Sequence, residues 1–191
     1  ILDLGCGGGV VTYLLYKKEF NQQFFLSDLQ NLAVKKAEKN LKKKRISANY
    51  ATGSLFFPWN NKKFDLIVND VSGISIEVSK ISKWFKHAPS DNTKNGISNL
   101  KKVITKCNRF MKKNSLIILP IISLSNVNEA LNVLKKNLKI IELEKYYWPM
   151  PKGLINRIDL LKKLQKKGYI KFEFKYNKFL CYTMIAVCKK K

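Results

Sequence analysis

The densest cluster of chemistry-bearing residue types is Asp3-Leu4-Gly5-Cys6-Gly7-Gly8-Gly9, set between a short apolar run and a helical pattern that begins at Val10. Glycine lacks a Cβ, so such a turn brings backbone N–H groups close to a ligand, and the N-terminus of the following helix favours electronegative groups. Gly5, Gly7 and Gly9 are spaced GxGxG. Val10 stands where a dinucleotide fingerprint needs glycine or alanine, and no Gly-Lys-Ser/Thr follows, which excludes a P-loop. Asp28 closes the next apolar run, 23 residues after Gly5. A carboxylate there accepts hydrogen bonds from both hydroxyls of a ribose, with capping of the next helix as its competing role. Thr52-Gly53-Ser54-Leu55 follows the third run and supplies a loop that can pack on an adenine ring; an ordinary strand-end turn is the alternative. His87 is the single histidine, so neither a Ser/His/Asp arrangement nor a histidine-rich metal site is supported.

Each of these turns is expected at the carboxyl end of a parallel strand, the edge where open α/β sheets bind ligands. Apolar runs over 1–4, 24–27, 47–51, 64–69 and 115–120 alternate with helical patterns over 10–16, 31–43 and 97–111, as in βαβ units. In the last helix Ile97, Leu100, Val103, Ile104, Cys107, Phe110 and Met111 follow the helical period and leave Lys101, Lys102 and Lys106 to solvent. Downstream, a helix is predicted over 126–137, a strand over 138–147 and a short basic helix over 156–167. The runs 169–176 and 179–188, joined by Asn177-Lys178, predict a hairpin. The fold class is therefore α/β: a Rossmann-like, seven-stranded, mostly parallel sheet with a C-terminal antiparallel hairpin and helices on both faces. Residues 1–191 read as a single domain with one linker-like stretch, 86–96. The chain opens on a strand without Met, so further residues are expected upstream.

At 191 residues and 46% hydrophobic, the chain can bury a sizeable core, and its apolar runs stop well short of a membrane span. A formal charge of +24, from 37 Lys and Arg against 13 Asp and Glu, attracts phosphate backbones. Only Arg45, Arg109 and Arg157 are arginine, so compositional bias explains the charge equally well. Cys6, Cys107, Cys181 and Cys188 show no CxxC spacing and sit in apolar stretches. They read as free buried thiols in a reducing cytoplasm, with no disulfide and no metal.

The order ILDLGCGGG, SDLQNLAVKKAEKN, TGSLFFPW, FDLIVNDVSGI resembles the class I S-adenosylmethionine-dependent methyltransferases. Within them it is similar to the small-domain group that includes protein-glutamine and ribosomal or tRNA base N-methyltransferases. The resemblance covers about residues 1–125. It implies S-adenosylmethionine as cofactor, with Asp3, Gly5, Gly7 and Gly9 lining its methionine and ribose side, Asp28 holding the ribose, and Gly53, Ser54 and Leu55 flanking the adenine. Ser54 stands where the family usually carries an acidic residue. Asn69-Asp70-Val71-Ser72-Gly73 stands where amino-methylating members carry Asn or Asp followed by Pro-Pro-Tyr or Pro-Pro-Phe; Asn69 matches the first position and lines the methyl site on this reading.

Transfer from a sulfonium asks for positioning and exclusion of water, plus a base where the nucleophile holds its proton tightly. Asp70 is the candidate base; a turn-forming role competes. Trp84, Phe85, Trp148, Pro149, Met150 and Pro151 can wall an acceptor pocket or pack a core, His87 reads as a loop residue near the cleft, and the helix around Arg157 can contact RNA or simply be solvated. The acceptor stays open among a protein side chain, an RNA base and a small molecule, with RNA or a ribosome-associated protein as the expected partner and no membrane. The competing class is a non-catalytic basic RNA-binding or assembly module on the same fold. A nicotinamide-dependent dehydrogenase is disfavoured by Val10.

Overall fold

The computed structural model describes residues 1–18, 22–71, 73–83, 91 and 93–191. In chain order the elements are β1 (Leu2–Leu4), α1 (Val10–Lys17), β2 (Phe24–Asp28), α2 (Asn31–Lys42), β3 (Ala48–Thr52), β4 (Phe64–Asn69), α3 (Ile76–Ile81), α4 (Ser98–Lys106), β5 (Met111–Ile122), α5 (Val127–Asn137), β6 (Leu138–Pro149), α6 (Lys152–Ile155), α7 (Ile158–Lys166), β7 (Glu173–Lys175) and β8 (Lys178–Lys190). The strand order is β3-β2-β1-β4-β5-β8-β6, with β7 off this path and paired to β8. Seven strands lie on the path, and the three-residue β7, from the run expected over 169–176, makes the sheet eight-stranded where seven were expected. By packing the chain divides into two units, residues 1–71, 106–119 and 188–190 in the first, and 72–105, 120–187 and 191 in the second.

In the first unit β1 pairs in parallel with β2 and β4, β2 with β3, and β4 with β5. Strands inside a parallel sheet are covered on both faces and read as unbroken apolar runs. Accordingly β1 is buried throughout, and so is β2 up to Ser27. Successive side chains point to opposite faces. Phe24 and Leu26 share a core with Ala37 and Leu41 of α2, while Phe25 meets Trp59 and Phe64 edge-on, with ring centroids 5.3 and 5.4 Å away.

The helix expected over 97–111 ends at Lys106. Cys107–Arg109 tighten into a 3-10 turn closed by Phe110 N–H donating to Cys107 O at 2.8 Å. Met111 then opens β5 opposite Phe64. Phe110 and Met111 are buried as the helical period requires, but they belong to a turn and a strand. The polar stretch Lys112-Lys113-Asn114 hides the start of β5, because the register with β4 shifts between Phe64 and Leu66 and leaves room for it.

In the second unit Ile74, Val78, Leu124, Leu161, Leu164 and Ile170 share one core. Helix α7 turns Leu161 and Leu164 inward and leaves Lys162, Lys163 and Lys166 exposed, an amphipathic pattern. The hairpin turn is Tyr176-Asn177, both at positive φ (53° and 55°), one residue earlier than the sequence places it, because Lys175 pairs with Lys178. Of the expected strand over 169–176 only Glu173–Lys175 joins the ladder. Upstream of it, Phe172 N–H donates to Gln165 Oε1 at 2.7 Å and Lys171 N–H to Ser123 O at 2.6 Å.

Residues 86–90 and 92 of the expected linker lie outside the described residues. Asp91, however, is buried and caps α4: its Oδ2 accepts the N–H of Asn99 at 2.7 Å and its Oδ1 that of Thr93 at 3.1 Å. Gly96 ends this turn at φ +67°, where a Cβ would lie 2.2 Å from the carbonyl carbon of Ile74 and 2.3 Å from the nitrogen of Ser75. Gly96→Ala therefore meets both a left-handed backbone and a backbone clash. The expected loss is roughly 3 kcal/mol or more of unfolding free energy, read by urea titration; a loss under ~1 kcal/mol would show that the crossing relaxes freely.

Candidate active site

The carboxyl ends of β1, β2, β3 and β4 lie side by side: Leu4 is in register with Ser27 and Asn69, and Asp28 with Thr52. The residues expected at the cofactor and the methyl site, Asp3, Gly5, Gly7, Gly9, Asp28, Gly53, Ser54, Leu55, Asn69 and Asp70, belong to the strands and turns at this edge, within the first unit. The turn after β1 is drawn over β2 by Gly5 and Cys6, whose N–H groups both donate to Ser27 O, at 2.8 and 3.0 Å. Gly5, Gly7 and Gly9 adopt positive φ of 81°, 50° and 79°, which explains the GxGxG spacing. At Gly5 a Cβ would also stand 2.9 Å from the nitrogen of Val71 and 3.0 Å from the carbonyl carbon of Asp70. Asp70 N–H in turn donates to Leu4 O at 2.8 Å.

Asp28 holds the glycine turn from the next strand. Its Oδ2 accepts the N–H of Gly7 at 3.1 Å and its Oδ1 the N–H of Gln30 at 2.9 Å. The second bond makes an Asx turn that leads into α2; the helix starts from Gln30 without a side-chain cap, so the capping role expected as the alternative is not the one Asp28 takes, and its carboxylate keeps acceptor positions beyond these two bonds. Gly53 N–H donates to Asp28 O at 3.0 Å, and its missing side chain makes room for Pro58, whose Cγ would lie 2.7 Å from a Cβ. Leu55 follows at φ +48°, so the turn over 53–55 is sharply bent, with Ser54 exposed.

Asp3 is buried, with its Oδ2 accepting from Thr12 Oγ1 at 2.7 Å and Thr12 N–H at 3.2 Å. Its Oδ1 has no partner. Burial pushes the Asp3 carboxyl up to about 6, helped by the charges of Asp70 and Asp28 and opposed by the Thr12 bonds. Asp70 is exposed, yet its carboxyl is also raised, by desolvation at the strand ends and by Asp28. Asn69 beside it is buried, and both polar atoms of its side chain lack partners. Buried amide groups are almost always hydrogen-bonded, so the unpartnered Asn69 side chain, in register with Leu4, and the unpartnered Asp3 oxygen one residue earlier on the other face of β1 leave polar groups open on both sides of the strand ends.

A family model described as a methyltransferase domain matches residues 1–176. The chain belongs to that family. Ribosomal RNA small subunit methyltransferase C of Haemophilus influenzae is 31% identical over 70 residues, 37% of this chain and 21% of the relative. Its counterpart in Actinobacillus succinogenes is 29% identical over 91 residues, 46% of this chain and 27% of the relative. The chain thus matches only about a quarter of the length of these curated relatives. Among solved structures, a ribosomal protein L11 methylase from Lactobacillus delbrueckii subsp. bulgaricus superposes with a TM-score of 0.58 at 15% identity, covering 100% of this chain and 69% of that one. A TehB-like SAM-dependent methyltransferase from Corynebacterium glutamicum gives 0.54 at 15% identity, covering 100% and 79%. At such identities these two structures speak for the fold.

The methyltransferase domain also uses residues that no motif announced. Asn40, near the end of α2, donates from Nδ2 to Gly8 O at 3.0 Å and ties the glycine turn to the helix behind it. Thr12 does the same for Asp3 from α1; its signal is a polar residue on the inward face of that helix. Leu29, directly after Asp28, leaves its side chain 60% exposed beside the site. Conversely, Met150 belongs to the core of the second unit, and Trp148 packs against that core while its Nε1 donates to Thr183 Oγ1 at 3.1 Å. Trp84, Phe85 and His87 lie outside the described residues. Among the described residues no three His, Cys, Asp or Glu side chains gather as a metal site, and no helix is long and apolar enough to cross a membrane.

Two outcomes follow for the methyltransferase domain. Because the folded state holds the Asp3 proton more tightly than the unfolded chain, stability is lost as pH rises from about 4 to about 6. Asp3→Asn does not titrate, so its unfolding free energy should gain on the native protein by up to ~2–3 kcal/mol across that window. Urea titrations at several pH values read the difference, and a gap that stays flat would refute the buried charge. Asn40→Ala should speed amide exchange at Gly7 to Gly9 severalfold while leaving Thr12 unchanged, through loss of a hydrogen bond that contributes ~1 kcal/mol.

Proposed function

We propose that residues 1–191 act as one methyltransferase domain that binds S-adenosylmethionine at the strand ends of β1 to β4 and methylates an acceptor from the ribosome, an RNA base or a ribosomal protein side chain. The observation that carries the reading is the unpartnered, buried Asn69 and Asp3 oxygen beside the turn held by Asp28. These residues fit the cofactor. Asp28 keeps free lone pairs for two ribose hydroxyls, Gly5, Gly7 and Gly9 bring backbone close to the methionine part, and the turn of Gly53, Ser54 and Leu55 with Leu29 offers faces for the adenine. Besides burial, the charges of Asp70 and Asp28 help to raise the Asp3 carboxyl and that of Asp28 the Asp70 carboxyl, so this corner is locally acidic on a chain of +24 and suits a ligand carrying a sulfonium and an ammonium.

When bound, S-adenosylmethionine supplies a methyl group already activated by its sulfonium. The protein's own task is then to position the acceptor and keep water out. Asn69 accepts a hydrogen bond from the acceptor nitrogen and orients it. Asp70, with its raised pKa, takes up the proton that the nitrogen loses. The names of the matched relatives and the surplus of lysine support an acceptor from the ribosome. Four free, buried cysteines support a reducing, cytoplasmic setting.

Calorimetric titration of S-adenosylmethionine and S-adenosylhomocysteine tests the reading. Micromolar binding is expected, weakened at least about tenfold in Asp28→Ala, which loses its acceptors to the ribose. With labelled methyl groups, Asp70→Asn should lower turnover by about 100-fold or more and leave cofactor affinity nearly unchanged. A folded chain that binds neither compound would leave the basic, non-catalytic module as the better account.

A further inference from the structure

Between the start of α1 and the end of α2 lies a cleft of about 210 Å³, lined only by residues of the first unit. Tyr13 of α1 and Leu41 of α2 supply apolar walls, the backbone of Gly8 and Gly9 forms one edge, and Val10, 63% exposed, leaves more apolar surface there. The packing explains the space. At Gly9 the helix behind is in close contact, since a Cβ would lie 3.3 Å from the Cβ of Ala37 and 3.4 Å from the Cδ1 of Leu41. One residue earlier, a Cβ on Gly8 would find nothing nearer than Asn40 Nδ2 at 3.6 Å and the Cε of Lys36 at 4.0 Å, so the face of that peptide stays open.

The rim is cationic. Lys43 and Lys44 line the cleft and are exposed. Lys42, just before them, is matched by Glu38 at 2.7 Å, whereas neither Lys43 nor Lys44 takes part in an ion pair among the described residues. Lys44 Nζ lies 5.9 Å from the ring centre of Tyr13, within reach of cation–π attraction, which keeps the ammonium at the cleft. Apolar walls beside two unmatched ammonium groups fit a ligand with an apolar body and an anionic end. Size and shape narrow it further. A dry cavity of about 150 Å³ holds benzene, so this cleft takes one or two fused rings, and the flat surfaces of Tyr13 and the Gly8-Gly9 peptide favour a planar body over a flexible chain.

We propose that this cleft binds an aromatic carboxylate, its rings against Tyr13, Leu41 and the Gly8 peptide and its carboxylate on Lys43 and Lys44. Asn40 also lines the cleft, and its Nδ2 donates to Gly8 O at 3.0 Å. A bound ring shields that hydrogen bond from water and steadies the turn, in which the N–H of Gly7 is held by Asp28 and the N–H of Gly9 by Cys6 O. Binding here needs no S-adenosylmethionine, so the proposal stands or falls apart from the cofactor reading.

Amide NMR of the 191-residue chain titrated with 2-naphthoate at about 0.15 M salt tests the site, because screening at that strength damps diffuse attraction to the lysines. Saturable shifts are expected at Gly8, Gly9, Val10 and Leu41 and at the Asn40 side-chain amide, with a Kd of about 1 mM or tighter. 2-Naphthalenemethanol, the same rings without the charge, should bind about tenfold more weakly, and so should octanoate, a charged chain without a ring. Lys43→Gln combined with Lys44→Gln should bring naphthoate down to the level of the alcohol and leave the alcohol unchanged. At saturation, amide exchange at Gly7 and Gly9 should slow severalfold. Shifts that grow without saturating or spread over the lysine-rich surface, a neutral ring or a plain chain that binds as well, a double variant that keeps full affinity, or unchanged exchange at Gly7 and Gly9 would each overturn the proposal.

Discussion

Everything at the ligand end of the sheet depends on how closely two stretches of backbone approach at Gly5. A single methyl group there would sit within about 3 Å of the peptide joining Asp70 to Val71. Because the methyl group is absent, the turn after β1 lies flat across its neighbours, with its N–H groups on Ser27 O and the N–H of Asp70 on Leu4 O. Three strand ends are thereby locked at one level, and the side chains of Asp3, Asp28, Asn69 and Asp70 inherit their positions from backbone. Side chains from α1 and α2 reinforce that arrangement, Thr12 beneath Asp3 and Asn40 behind Gly8.

The local electrostatics run against the global charge. A chain with 37 cationic side chains gathers three carboxylates at one corner, close enough to raise the pKa of two of them. Opposed in this way, the long-range field draws polyanions toward the molecule, while the corner itself favours a small cation. A cofactor that is cationic before it gives up its methyl group and has lost its sulfonium charge afterwards would be held less tightly as product, which favours turnover.

Much of this was legible in the sequence, for a physical reason. Buried parallel strands must be apolar on both faces, so β1, β2 and β4 stand out as runs, and a turn built on positive φ must spell itself in glycine. What stayed hidden depends on partners distant in the chain. Asn40 finds Gly8 across 32 residues, and nothing in its own neighbourhood marks it. The end of α4 was masked because Phe110 and Met111 keep the helical period by burial alone, although one closes a turn and the other opens β5. Asp91 looked like part of a linker because its partner, Asn99, lies eight residues on. The position of Asp28 at the end of β2 was legible, and its grip on Gly7, 21 residues back, was not.

The mixture of ladders also orders events in time. Every strand pair of the first unit that borders the site is parallel, so none closes without a crossover and the loop entropy that goes with it. The β7–β8 pair closes across Tyr176-Asn177 alone, and such hairpins form in about 1–10 μs. On refolding, the downstream hairpin can therefore appear while the glycine turn still waits for both β2 and β4 to arrive beside β1. Closure of the glycine turn therefore depends on long-range crossovers that the hairpin does not need, and the strand ends of β1, β2 and β4 are set by contacts distant in the chain.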